Sequence, residues 1–125
     1  MIDSHTHLSD YSSDHLPAIL SAASEYGLRF VICNSVNPEN FQKVKEIYLI
    51  FKKIVIPCFG IHPLYLDGKE EGLKEVEERL KEIEESQVGE IGLDFRGVEE
   101  KEKSRFVLVL KFHYFLRGSS KKNVF

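Results

Sequence analysis

The sequence predicts an α/β fold in which strands and helices alternate to build a parallel sheet. Short apolar runs alternate with longer segments of helical spacing, which is the pattern of βα units. The chain has 125 residues, 42% of them hydrophobic and 30% charged, as expected for one globular domain. Its net charge of -3 argues against nucleic-acid binding through a broad basic surface. Bound metal ions could still supply positive charge locally.

The first half of the pattern contains two strands and one helix. Met1–His7 is the first predicted strand. A helix over Asp14–Tyr26 follows, with Asp14 as its N-cap and Gly27 as its C-terminal stop. Residues 28–34 read LRFVICN, a nearly continuous apolar run that is typical of a strand covered on both faces.

The second half continues the alternation. Pro38–Lys53 is a predicted helix, because Asn37 can cap it and a proline suits its first turn. Ile54–Gly60 is the third strand. Lys69–Ser86 is a helix, since its apolar side chains recur at helical spacing among Glu and Lys. Val88–Leu93 is the fourth strand, so the predicted order is β-α-β-α-β-α-β.

The first candidate for chemistry is a His-x-His pair on the opening strand. Side chains alternate faces along a strand, so Asp3, His5 and His7 are expected on one face. Two imidazoles beside a carboxylate can chelate one divalent cation. A hydrogen-bonded structural pair of histidines is the alternative. The end of a first βα strand favours ligands, because sites in parallel sheets form at the carboxyl ends of strands.

The second candidate is the run GEIGLD at residues 89–94. Strand periodicity predicts Glu90 and Asp94 on one face. A carboxylate on an otherwise apolar strand must be paired, hydrogen-bonded or metal-bound, since burying it alone is costly. Arg96 is an available partner for a purely structural ion pair. Together with the two histidines of the first strand, however, Glu90 is favoured as a metal ligand.

The third candidate is His62 in the run GIHP, where the third strand gives way to a loop. The histidine is expected near the same rim, where it could contact a phosphate or transfer a proton. The alternative is a loop histidine that caps backbone carbonyls. Cys33 and Cys58 are too few for a disulfide framework and are interpreted as reduced, partly buried thiols.

Three motifs together, IDSHTHL at 2–8, GIHP at 60–63 and GEIGLD at 89–94, resemble those of the TatD-like deoxyribonucleases in order and spacing. That family comprises metal-dependent hydrolases built on a TIM barrel. The resemblance implies that His5 and His7 bind one divalent ion and that Glu90 bridges it to a second. His62 and Asp94 would line or support the site. The implied reaction is hydrolysis of phosphodiester bonds in DNA by metal-activated water. Mg²⁺, Mn²⁺ and Zn²⁺ are not distinguished.

The resemblance also implies an incomplete barrel. A TIM barrel has eight βα units in about 250 residues, whereas this sequence predicts about four, so the expected fold is a half barrel. Further ligands of the family, two histidines and a late aspartate, have no counterpart here. We assign residues 1–102 to the half barrel and 103–125 to an atypical tail, hypothesised to arise by truncation or a frameshift. Within the tail, the apolar run Ser104–Arg117 is predicted to be helical.

Three functional hypotheses remain open. The chain is a TatD-like deoxyribonuclease that needs completion, a catalytically inactive truncated fragment, or a different His-x-His metallohydrolase of the phosphoesterase or amidohydrolase type. DNA is the expected substrate. Self-association through exposed sheet edges and the apolar tail is a further expectation. The sequence shows no membrane segment and no signal peptide, which predicts a cytoplasmic protein.

Overall fold

The computed structural model describes residues 1–65 and 70–96, together with positions 99, 100, 103, 107, 110 and 111. A single parallel sheet carries its strands in chain order, β1-β2-β3-β4. The strands are β1 (Ile2–Thr6), β2 (Phe30–Asn34), β3 (Val55–Phe59) and β4 (Gln87–Val88). This arrangement confirms the predicted α/β class and the predicted order of elements.

Three helices connect the strands: α1 (Leu16–Glu25), α2 (Phe41–Ile50) and α3 (Glu70–Glu82). Short 3-10 turns at Leu8–Asp10, Pro38–Asn40 and Pro63–Tyr65 follow the first three strands. The carboxyl ends of parallel strands lie at one edge of a sheet, so these turns and the loop after β4 form one rim, the carboxyl rim.

The start of α1 differs from the prediction. The helix begins at Leu16 with His15 at the N-cap position, so Asp14 does not cap it. Pro17 lies in the first turn, and its missing N–H removes one of the donors that a cap would satisfy. Gly27 follows the helix with a φ of +88°, the left-handed conformation predicted for the C-terminal stop.

The predicted cap of the second helix is present. The Asn37 side chain accepts a hydrogen bond from the backbone N–H of Asn40 at 3.3 Å. The capped segment is the 3-10 turn Pro38–Asn40, and α2 continues directly from it. The Asn40 side chain accepts a hydrogen bond from the backbone N–H of Val36. This bond connects the segment after β2 to the start of the helix.

The fourth strand is shorter than predicted. It pairs with β3 only through Gln87 and Val88, and the main chain leaves the extended conformation at Glu90, where φ is +42°. The predicted strand Val88–Leu93 was therefore wrong beyond its first residue. Residues 91–96 form a loop, so strand alternation does not place Glu90 and Asp94. The apolar residues Ile91 and Leu93 suggested a strand, but among the described residues no neighbour pairs with the outer edge of β4.

The apolar core lies between the sheet and the helices. Phe41 of α2 meets Phe59 of β3 edge-on at 5.5 Å between ring centroids, and both side chains are fully buried. Cys33 and Cys58 are free, as predicted, and they are fully buried, whereas partial burial was expected. Burial raises the pKa of the Cys33 thiol to about 11 and that of Cys58 to about 12. Neither thiol is therefore a nucleophile at neutral pH.

Most of the predicted tail helix, Ser104–Arg117, lies outside the described residues. The positions described within 103–111 have helical backbone. In the described parts of the chain, no helix combines the length and the apolar character needed to cross a bilayer.

Candidate metal centre

A bulge in β1 contains His5, and His7 directly follows the strand. Asp3 pairs with Val31, but the next paired residue is Thr6, opposite Cys33, so β1 carries one extra residue. The Asp3 carboxylate accepts the backbone N–H of His5 at 3.1 Å inside this bulge. Asp3 therefore supports the main chain of His5.

Both imidazoles reach the same place on the carboxyl rim. The rings of His5 and His7 meet edge-on, with centroids 5.0 Å apart and planes at 85°. Their side chains are 57% and 30% exposed, so solutes can reach them. The structure brings these two candidate ligands together, as the His-x-His spacing predicted.

Glu90 lies in the loop after β4 and completes the cluster with the two histidines. Its Oε1 lies 3.0 Å from Nε2 of His5 and 3.6 Å from Nε2 of His7. The three ligand atoms all lie within 4.8 Å of one another. The carboxylate is only 11% exposed, and its residue has the left-handed φ noted above. Non-glycine residues in that conformation are uncommon and concentrate at functional sites.

The hydrogen bond of His7 determines which ring nitrogen is free. Nδ1 lies 3.1 Å from the backbone carbonyl oxygen of Asn34. A carbonyl oxygen only accepts, so Nδ1 donates, and Nε2 of the neutral ring presents a lone pair to the Glu90 carboxylate. Two electron-rich atoms 3.6 Å apart suit a cation between them. The set of two imidazole nitrogens and one carboxylate oxygen is one that Zn²⁺ and other first-row divalent metals accept. The residues therefore fit a divalent metal ion.

A cavity of about 420 Å³ adjoins this cluster and shares Glu90 as part of its wall. His62, Asp94 and Arg96 line it as well. The His62 Nδ1 accepts the backbone N–H of Leu64 at 3.2 Å, so the neutral ring carries its proton on Nε2. This histidine binds a backbone amide, not the carbonyl that the structural alternative proposed.

Arg96 pairs with Asp94, not with Glu90. Its Nε lies 2.9 and 3.1 Å from the two carboxylate oxygens, and its Nη2 lies 2.5 Å from Oδ2. The backbone N–H of Arg96 donates to the same carboxylate at 3.0 Å. These hydrogen bonds lower the pKa of Asp94 to about 2. The structural ion pair suggested for Glu90 was therefore wrong, and its contacts are with the histidines.

The Asp94–Arg96 pair gives a pH prediction. Replacing Arg96 with Gln removes the guanidinium, so the pKa of Asp94 is expected to rise from about 2 toward its usual 3.8. Because the folded-state pKa is depressed, the pair stabilises the loop above about pH 4 and loses this effect as the pH falls toward 2. NMR titration of the Asp94 carboxyl carbon measures the shift. Arg29→Gln, at the start of β2, is the control; an equal pKa in both variants would contradict the prediction.

Two glycines let β3 and β4 come close enough to form the rim. A Cβ on Gly60 would lie 1.3 Å from the carbonyl oxygen of Gly89. A Cβ on Gly89 would lie 2.5 Å from Oδ1 of Asn34 and 2.8 Å from Cβ of Cys58. His62 and Glu90 each lie within two residues of these glycines. The absence of side chains at both positions therefore brings the two loops together.

Sequence reasoning missed Asn34 as a member of the site. Its side chain is fully buried at the end of β2, where it contacts His5, and its carbonyl contacts His7. A signal was available, because a polar residue ends an otherwise apolar strand at the rim where sites form. His15 is exposed at the start of α1, and His113 lies outside the described residues.

A parallel βα sheet with a His, His and Glu cluster at its carboxyl rim defines a class, the metallohydrolases of barrel type. The model of the TatD related DNase family matches residues 2–123. The chain belongs to this family.

The relatives and a solved structure agree with that assignment. The chain is 32% identical over 107 residues to the putative deoxyribonuclease tatdn3-B of Xenopus laevis, covering 76% of this chain and 41% of that protein. It is 30% identical over 125 residues to the human deoxyribonuclease TATDN3, covering 87% of this chain and 45% of that one. The crystal structure of YjjV, a TatD homologue from Escherichia coli K12, superposes with a TM-score of 0.82 at 24% identity, covering 99% of this chain and 49% of that one.

Two facts follow for the fold. The likeness to YjjV shows that the four strands and the helices between them adopt the fold of a TatD homologue. The chain spans less than half the length of these relatives, in agreement with the predicted half barrel.

Proposed function

We propose that the chain is part of a metal-dependent deoxyribonuclease in which His5, His7 and Glu90 bind a divalent cation. The observation that carries the proposal is the convergence of both histidine Nε2 atoms on one carboxylate oxygen, at 3.0 and 3.6 Å. Membership of the TatD related DNase family supports DNA as the substrate. The same membership favours this function over an amidohydrolase or another phosphoesterase.

The residues of the chain have distinct roles in this proposal. A divalent cation, when bound, supplies Lewis acidity toward a phosphodiester oxygen and lowers the pKa of water. Glu90 and the two histidines hold it at the rim. His62 carries its ring proton on Nε2 and can donate a hydrogen bond to a phosphate oxygen in the adjoining cavity. Asp94 pairs with Arg96, which lines that cavity, where a guanidinium favours an anionic backbone.

A second candidate function is cation binding without turnover. The chain spans 41% and 45% of the curated relatives described above, so groups that complete the site can lie on segments this sequence does not contain. Self-association of two chains through the free edges of the sheet is one proposed means of completion. It would duplicate the cluster of His5, His7 and Glu90 without adding new motifs.

The test is hydrolysis of end-labelled single- and double-stranded DNA by the full chain with Mg²⁺, Mn²⁺ or Zn²⁺. We expect cation-dependent cleavage that falls at least ~100-fold in His5→Ala, since loss of mere supporting groups around a metal already costs roughly 10–100-fold. His15→Ala is the matched control, because this exposed histidine makes no side-chain cap hydrogen bond.

Three outcomes separate the candidates. Cleavage lost in His5→Ala and kept in His15→Ala supports the deoxyribonuclease. Cleavage unchanged in His5→Ala refutes it and indicates a contaminating nuclease. Tight cation binding with no cleavage in the unsubstituted chain favours the second candidate.

A further inference from the structure

Asn34 contacts Nδ1 of both candidate histidine ligands. Its backbone carbonyl oxygen accepts a hydrogen bond from Nδ1 of His7 at 3.1 Å. Its side-chain Nδ2 lies 3.4 Å from Nδ1 of His5. The side chain is fully buried, between the end of β2 and Gly89 of the neighbouring loop. Its Oδ1 is buried without a hydrogen-bond partner among the described residues. A buried acceptor in that state is costly and calls for an explanation.

The contact with His5 indicates the state of that ring before a cation binds. Nε2 lies 3.0 Å from Glu90 Oε1, the distance of a hydrogen bond from an N–H to a carboxylate. If the neutral ring carries its proton on Nε2, then Nδ1 has the lone pair and accepts from Nδ2 of Asn34. The carboxamide then leaves Oδ1 unsatisfied, as observed.

Cation binding reverses these requirements. To ligate through Nε2, His5 must have its proton on Nδ1, and Nδ1–H then needs an acceptor. The proton leaves Nε2 to solvent water, and another is taken up at Nδ1, so the ring stays neutral. Rotation of the Asn34 carboxamide by about 180° exchanges Nδ2 for Oδ1 and supplies the acceptor. The His7 contact needs no change, because a backbone carbonyl already holds its Nδ1 proton.

We propose that Asn34 is a positioning residue for the cation site, with a carboxamide that turns from donor to acceptor and so sets the tautomer of His5. The inference rests on the proposed function, because it presumes that His5 and His7 bind a cation. It adds a residue from β2 to a site built from β1 and the loop after β4. The orphaned Oδ1 is then the atom that becomes bonded when the cation arrives.

The first test reads the tautomers directly in the full chain. Two-bond ¹H–¹⁵N correlation spectra of the imidazole rings are recorded without metal and with Zn²⁺. We expect His5 to change from the Nε2–H to the Nδ1–H form, with His7 in the Nδ1–H form throughout. An unchanged His5 tautomer in chain that has bound Zn²⁺ through both rings overturns the inference. Absence of Zn²⁺ binding at both rings overturns the proposed function and this inference with it.

The second test uses substitutions of the carboxamide. Asn34→Leu keeps the branched shape but removes both polar atoms, so we expect roughly 10–100-fold weaker Zn²⁺ binding by calorimetry. The His7 tautomer should be unchanged, since its partner is main chain. Asn34→Asp offers only acceptors, so we expect His5 to carry a proton on Nδ1 even without Zn²⁺.

Asn40→Leu is the matched control. Asn40 is a partly buried asparagine at the same rim whose side chain bonds Ser9 and Val36, not the histidines. We expect its Zn²⁺ affinity to stay within about twofold of the unsubstituted chain. Equal Zn²⁺ affinity in Asn34→Leu and Asn40→Leu overturns the inference, while a loss confined to Asn34→Leu supports it. The spectra of the unsubstituted chain decide the question even where a variant does not fold.

Discussion

Replacing Glu90 with Ala is expected to lower the affinity of the chain for Zn²⁺ or Mn²⁺ at least ~100-fold, more than the loss of a supporting residue would. Both histidine Nε2 atoms face this carboxylate. It supplies the anionic ligand atom of the three, and its negative charge partly neutralises a bound cation. Without it, two imidazoles remain at a partly exposed edge. Isothermal titration calorimetry measures the affinity.

Glu75→Ala is the control for charge alone, because Glu75 is an exposed carboxylate on α3. The double variant His5→Ala with Glu90→Ala sharpens the test. When two groups bind the same ion, removing either one already loses most of the affinity. The double variant should therefore bind the cation hardly more weakly than either single variant. Independent, additive losses would show that the two residues do not serve one site.

Replacing Gly60 with Ala is expected to destabilise the fold by about 3–5 kcal/mol, at the upper end of single substitutions. The new Cβ would lie 1.3 Å from the carbonyl oxygen of Gly89, a backbone atom that cannot rotate away. The end of β3 must then separate from the chain after β4. Because Glu90 follows Gly89, cation binding should weaken as well. Urea unfolding followed by circular dichroism measures the free energy of unfolding.

Gly92→Ala is the matched control for Gly60→Ala. Its added Cβ would meet only Cγ of Pro63 at 3.6 Å, an ordinary contact. We expect a change within about 0.5 kcal/mol, as for substitutions away from special features. Similar stabilities of the two variants would contradict the close approach of β3 and β4 at this rim.

Much of the fold could be predicted from the sequence because it depends on local patterns. Three of the strands were predicted within two residues of their observed ends, and helical spacing marked α3. The errors occurred where local signals competed. Asp14 has the chemistry of a cap, but the helix begins two residues later. Residues 89–93 have apolar strand character, but the positive φ of Glu90 ends the strand at Val88.

In the candidate site, the sequence identified the residues but not their contacts. His5, His7, Glu90, His62 and Asp94 are all identified by short motifs, and the structure places them around one rim and its cavity. The side-chain partners of these residues could not be predicted from the sequence. Arg96 is near enough in sequence to pair with either carboxylate, and only the loop geometry assigns it to Asp94. Asn34 is 29 residues from His5, and strand pairing brings them together.

The amino-acid order by itself determined the alternation of strands and helices, the family motifs and the chemical types of the candidate ligands. These are properties of short segments, set by side-chain spacing and by the donor atoms each residue carries. Tertiary structure alone decided that one carboxylate oxygen faces two imidazoles and that a buried carboxamide lies behind them. It did so because those contacts join three parallel strands or their loops, and their distances depend on sheet register, on a bulge and on the close approach of two glycines.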